Sequence, residues 1–118
     1  MKYLKQDTYL LNDSYSNSLL LVNIDRLLAR LKNDSPEYFI NPDTNSPSSV
    51  NRIKNAIGFT KKNLFKKHYF EPPMFGVEMN KIGVIDGRHR IAAAKKMGYT
   101  HLYIEVPRDQ KNIFNCLI

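Results

Sequence analysis

Residues 82–98, Ile-Gly-Val-Ile-Asp-Gly-Arg-His-Arg-Ile-Ala-Ala-Ala-Lys-Lys-Met-Gly, constrain this chain more than any other stretch. They read as a short apolar strand over 83–85, a tight turn at Asp86-Gly87 and a helix over 88–97. Gly98 is placed to end that helix in a left-handed conformation. Ala92, Ala93 and Ala94 favour helix and permit close packing on a sheet. A strand that runs straight into a helix leaves the first helical N–H groups without partners, and with the helix dipole they form a site for an anion. Arg88, His89 and Arg90 stand in the first turn. Cations there oppose the dipole and are unfavourable unless an anion offsets them.

The rest of the chain supplies a small domain around this unit. Residues 18–24 form a strand candidate through Leu19, Leu20, Leu21, Val22 and Ile24. A helix over 25–32 follows, capped by Asn23 or Asp25, with Leu27, Leu28 and Leu31 on its apolar face. Residues 33–49 are rich in Asn, Asp, Ser and Pro and read as a long loop, with a brief extended segment at 38–40. Ser48 or Ser49 then caps a helix over 50–60, whose inward residues are Val50, Ile53 and Ile57. Pro72-Pro73 stops any helix and leads into a strand over 74–79. That strand turns at Asn80-Lys81 and pairs with 83–85. Residues 101–106 alternate apolar and polar and read as a last strand, ended by Pro107. Residues 1–17 read as an N-terminal arm or lid, and 107–118 as a tail of one helical turn or an extended arm. The fold class is α+β: a small mixed β-sheet with packed helices, in one domain over 1–118.

At 118 residues there is room for one modest core. The longest apolar run is far too short to span a membrane, and residues 1–11 lack the apolar segment of a secretory signal. With a single cysteine, Cys116, these features lead to an expectation of a cytoplasmic protein with no disulfide framework and no cysteine zinc site. A net charge of +7 favours a polyanionic partner, although a Lys-rich composition also serves solubility. Lys61, Lys62, Lys66 and Lys67 form the densest basic segment and, with Arg52 and Lys54, are candidates for tracking a nucleic-acid backbone, or simply solvated side chains.

At the turn, Gly87, Arg88, His89 and Arg90 are the candidate phosphate contacts. Arg90, whose guanidinium can grip a phosphate bidentately, is expected to project towards the anion, and Arg88 towards solvent. His89 can donate to a phosphate or move a proton near neutral pH. Asp86 either caps the helix or binds Mg²⁺ beside the phosphates. Glu71 either positions a metal, activates a nucleophile, or is simply an exposed carboxylate.

The order of a proline-led strand, hairpin, strand, Asp-Gly-Arg-His-Arg turn, Ala-rich helix, Gly and strand resembles the ParB/sulfiredoxin superfamily. The resemblance covers residues 71–106 well and 19–31 loosely. It implies a small mixed sheet with helices and a nucleotide phosphate, of ATP or CTP with Mg²⁺, bound at the turn. Sulfiredoxins carry Gly-Cys-His-Arg there. Arg88 stands at the cysteine position, so sulfinic acid reduction is not implied. ParB partition proteins carry Gly-Glu-Arg-Arg-x-Arg-Ala. Gly87, Arg90 and Ala93 match that box, while Arg88, His89 and Ala92 depart from it. With about a dozen residues after Val106, the resemblance implies a stand-alone domain of the plasmid or phage type, not a full partition protein. The turn is similar to the Asp-Gly-His-His-Arg form of members with serine kinase activity, and to small mobile-element members that include ATPases and nucleases. Three functions are open: a nucleotide-binding domain that hydrolyses or transfers phosphate, with catalytic candidates His89, Asp86 and Glu71; a DNA-binding protein or nuclease; or a non-enzymatic inhibitor whose partner is a host or plasmid protein.

Overall fold

A computed structural model describes residues 1–4, 6, 17–62 and 71–118, with the backbone alone for 59–62. Four strands form one mixed sheet: β1 (Asn17–Asn23), β2 (Met74–Glu78), β3 (Lys81–Asp86) and β4 (His101–Pro107), in the order β1-β4-β2-β3. Three helices join them: α1 (Ile24–Asp34), α2 (Pro47–Lys62) and α3 (Arg88–Lys96). The expected α+β class is the observed one. β1 and β4 are antiparallel in full register from Asn17↔Pro107 to Asn23↔His101. β2 and β3 form an antiparallel hairpin, and β2 meets β4 in parallel at Met74↔Glu105.

Alternation sets the core. Leu20 and Val22 of β1, Leu102, Ile104 and Val106 of β4, Phe75 of β2, and Ile82 and Val84 of β3 are all buried. Leu27, Leu28 and Leu31 bury the apolar stripe of α1 against them, as its spacing requires. In α3, Ile91 and all three alanines are buried. Without bulk at these positions, α1 and α2 both lie against α3. The alanines thus admit helices as well as the expected sheet.

Several element limits differ from the expectation, each for a local reason. Ile24 belongs to the helix, because the side chain of Asn23 accepts the Arg26 N–H at 3.0 Å and fixes the cap there. The hairpin turns at Met79-Asn80, not Asn80-Lys81: both residues take positive φ, 53° and 62°, as a two-residue turn demands. α2 starts at Pro47, whose missing N–H costs nothing at the first helical position. Ser48 and Ser49 therefore lie inside the first turn instead of capping it. The loop expected over 33–49 is shortened by α1 and by a 3₁₀ turn at Pro36–Tyr38.

The described residues of the expected arm, 1–4 and 6, and the expected tail are packed. Lys2 C=O accepts the N–H groups of Thr100 and His101, and Leu4 N–H donates to His101 C=O. The Gln6 carboxamide replaces a strand partner for Tyr103, accepting its N–H at 2.6 Å and donating to its carbonyl at 2.8 Å. Lys2, Tyr3, Leu4 and Gln6 thus occupy the edge of β4 that β2 leaves open, and Leu4 joins the core. Residues 108–117 form 3₁₀ turns that bury Phe114, edge-on to Phe75 at 6.0 Å, and Leu117.

The open edge of β3 is closed at Ile82 by the end of α1. Asp34 accepts the Ile82 N–H at 3.0 Å, and Ser35 donates its hydroxyl to the Ile82 carbonyl at 2.8 Å. Burial alone would raise the Asp34 carboxyl. The Ile82 N–H, Arg30 and Asn33 more than offset that and hold it below the usual carboxylate range. This fixes β3, and with it the turn that starts α3.

Candidate anion site

β3 ends at Asp86, Gly87 takes φ 96°, and Arg88 begins α3. A positive φ suits glycine, and here space requires it as well. A Cβ on Gly87 would stand 3.0 Å from Pro73 Cα and 3.1 Å from Arg90 Cζ and Nε. Because Gly87 holds the N-cap position, no side chain caps α3. The N–H groups of Arg90 and Ile91 donate to Gly87 C=O, whereas those of Arg88 and His89 meet no acceptor among the described residues. This is the donor pair expected of an uncapped strand-to-helix turn.

Asp86 does not cap the helix, contrary to its expected first role. It stays in the strand ladder opposite Met74 and turns its carboxylate to Arg90, Oδ2 to Nη2 at 2.7 Å. Arg90 donates a second hydrogen bond, 2.9 Å, to the Glu71 carbonyl. Both arginines line one cleft, and Arg90 is held there by these two acceptors. Arg90 clamps the 71–73 segment to the turn, while Arg88, expected in solvent, is half-buried at the mouth of a cleft. Its Nη1 reaches the Glu37 carbonyl at 3.4 Å.

That cleft, about 480 Å³, lies between the α2 face of Arg52 and Ala56, the strand residues Val84 and Ile85, and the turn Gly87–Arg90, with Tyr38 at one end. Its volume falls in the range of small-ligand sites, ~300–1,000 Å³. His89 faces α2, its Nε2 3.3 Å from Ser49 Oγ. Burial, then the charges of Arg88 and Arg52, hold His89 below the ordinary histidine value and so favour the neutral ring. Two guanidinium groups thus act on one imidazole beside two free N–H groups, and the nearest carboxylate, Asp86, is taken by Arg90.

Gly87, Arg88, His89 and Arg90 come together at this cleft, as expected. The carboxylate of Glu71 is exposed, and only its main chain joins the turn. Among the described residues no group of three His, Cys, Asp or Glu side chains is placed to hold a metal ion. The carboxylate of Asp86, the candidate Mg²⁺ ligand, is engaged by Arg90. Lys61 and Lys62 close α2, their side chains outside the described residues, and Lys66 and Lys67 also lie outside them. Arg52, named from the sequence only as a possible backbone contact, lines the site, and Ser49 and Tyr38 belong to it although nothing in the sequence singles them out for it. Among the described residues no helix is long and apolar enough to cross a membrane. Compared with protein families, curated proteins and solved structures, the chain matches none.

Proposed function

We propose that this is a phosphate-binding domain of ParB/sulfiredoxin type whose ligand is a nucleotide. The observation that carries the reading is the convergence of Arg52 and Arg88 on a neutral His89 beside the two unpartnered N–H groups that start α3. Two cations and a positive helix end in one partly buried cleft are unfavourable together until an anion arrives. Phosphate oxygens accept from guanidinium groups and helix N–H groups alike. A nucleoside triphosphate such as ATP or CTP meets these requirements, and any Mg²⁺ would come with its phosphates. Within this reading His89, neutral and hydrogen-bonded to Ser49, is the group able to accept a proton in hydrolysis or transfer. A polynucleotide backbone offers the same phosphate, and a chain that binds neither would be an interaction protein on this scaffold.

The test uses sulfate, whose charge is constant between about pH 5.5 and pH 7.5. A His89 pKa depressed in the free protein rises when an anion sits beside it, so binding takes up a proton. Sulfate affinity should increase as pH falls through this window, and the increase should vanish in His89→Gln. The free fold should show the opposite slope. The unfolded chain protonates its histidine first, near pH ~6.5, so the His89 contribution to stability is fully present above that value and is lost below it. Sulfate binding that ignores pH in the wild type would remove His89 from the site.

A further inference from the structure

The outer face of the β2–β3 hairpin carries a feature that phosphate binding does not use. Gly76 and Gly83 stand opposite each other across the two strands, on the face away from Phe75, Ile82 and Val84. Glycine inside a strand weakens it and often marks a close approach by a ligand or another backbone. Two of them paired leave a floor of bare main chain. Tyr38 walls one side: its Cε2 and Cδ2 lie 3.6 and 3.7 Å from where a Gly83 Cβ would stand. Ile85 walls the other, its Cδ1 3.3 Å from the corresponding point on Gly76. Both walls are apolar and open to solvent, Tyr38 at 38% and Ile85 at 67% exposure.

This recess, about 680 Å³, shares Tyr38, Val84 and Ile85 with the cationic cleft. The two spaces form one trough with unlike ends. Asp34, Glu37 and Glu78 outnumber Lys81 in the recess and disfavour a phosphate there, while Arg52 and Arg88 attract one at the cleft end. An anion joined to a flat, uncharged group fits the trough in one direction only. Arg88 links the two ends, since its hydrogen bond to the Glu37 carbonyl steadies the turn that carries Tyr38.

We propose that the recess is the base subsite of a nucleotide whose phosphates lie at Arg52, Arg88 and His89, the base resting against Tyr38 over the Gly76–Gly83 floor. The proposal rests on the nucleotide reading above and adds where the base sits and which residues hold it. Aromatic stacking on a base contributes about 1–3 kcal/mol, or roughly five- to hundredfold in affinity.

The test compares tripolyphosphate with ATP and CTP, all with Mg²⁺, by calorimetric titration of the full chain. Wild type should bind at least one of the nucleoside triphosphates five- to hundredfold more tightly than tripolyphosphate. Tyr38→Ala should erase that preference, bringing the affinity ratio of nucleoside triphosphate to tripolyphosphate to about one, and Tyr38→Phe should keep it. Gly83→Val, which drives methyl groups into the ring, should act like Tyr38→Ala. Gly83→Ala, an ordinary contact, should act like wild type. Equal affinity for all three compounds in wild type overturns the base subsite and leaves the phosphate cleft standing. A nucleotide preference that survives Tyr38→Ala overturns its placement here. Binding of none of the three overturns both the subsite and the phosphate reading.

Discussion

Removing Arg52 and Arg88 together should abolish pyrophosphate binding while the protein stays folded. Each guanidinium is expected to give one charged hydrogen bond to the anion, about 1.5–3 kcal/mol when lost, so each single alanine variant should weaken binding roughly tenfold to 150-fold. The double variant should leave no measurable affinity. The fold should tolerate the change. Arg52 is exposed on α2, and Arg88 makes only the 3.4 Å contact to the Glu37 carbonyl. Arg88→Lys should restore part of the affinity, since an ammonium keeps the charge without the planar fork. The His89 pKa is a second readout, and it should rise in the double variant because two of its three depressing influences are gone. Arg90→Ala is the contrasting case. It breaks the tie between Asp86 and the Glu71 carbonyl, whose ion pair is largely exposed on the Asp86 side. It should therefore cost about 1 kcal/mol of stability and lower affinity less than Arg88→Ala. An Arg52→Ala/Arg88→Ala protein that binds pyrophosphate like wild type would dismiss this cleft.

Gly87→Ala should destabilise the protein by about 2–3 kcal/mol, of which roughly 1–2 is the left-handed backbone. The remainder comes from the methyl group meeting Pro73 Cα at 3.0 Å, a main-chain atom that cannot swing aside. The same methyl presses on Arg90 and loosens its clamp, so anion affinity should fall as well. Gly58→Ala is the control, because a Cβ there meets nothing within 4 Å and α2 is helical at that point. It should stabilise by about 0.5–1 kcal/mol. Urea denaturation of the two variants beside wild type measures both, and a Gly87→Ala protein as stable as wild type would show that the turn does not need its left-handed residue.

Much of this architecture was legible in the sequence, and the reasons are local. The apolar alternation at Leu102, Ile104 and Val106 needs only a period of two to be seen. The Leu27, Leu28 and Leu31 stripe, and Gly98 at φ 87°, follow from helix geometry alone. The Met79-Asn80 turn was displaced by one residue because methionine rarely takes positive φ, and the register of the β3 edge decided it instead. Gln6 gave no signal, since a carboxamide standing in for a strand partner depends on where β4 lies in space.

The site was legible only where the chain is continuous. Residues 86–90 announce themselves as a turn with two arginines flanking a histidine. The pairing of Arg90 with Asp86 had a signal, since the two are four apart, the spacing of a helical ion pair. The cap position itself falls to Gly87. Arg52 and Ser49 reach the cleft because α2 packs on α3, and Tyr38 because Gly83 leaves room for its ring. Those are contacts between distant segments, and no spacing in the sequence encodes them.

An amide NMR titration with pyrophosphate, followed together with the His89 ring, tests the anion site most directly. The account predicts that the backbone N–H signals of Arg88 and His89 move first and furthest, in step with the Arg52 side chain, and that the His89 pKa rises on saturation. Shifts confined to lysines elsewhere on the chain, with Arg88, His89 and Arg52 unmoved, would contradict it.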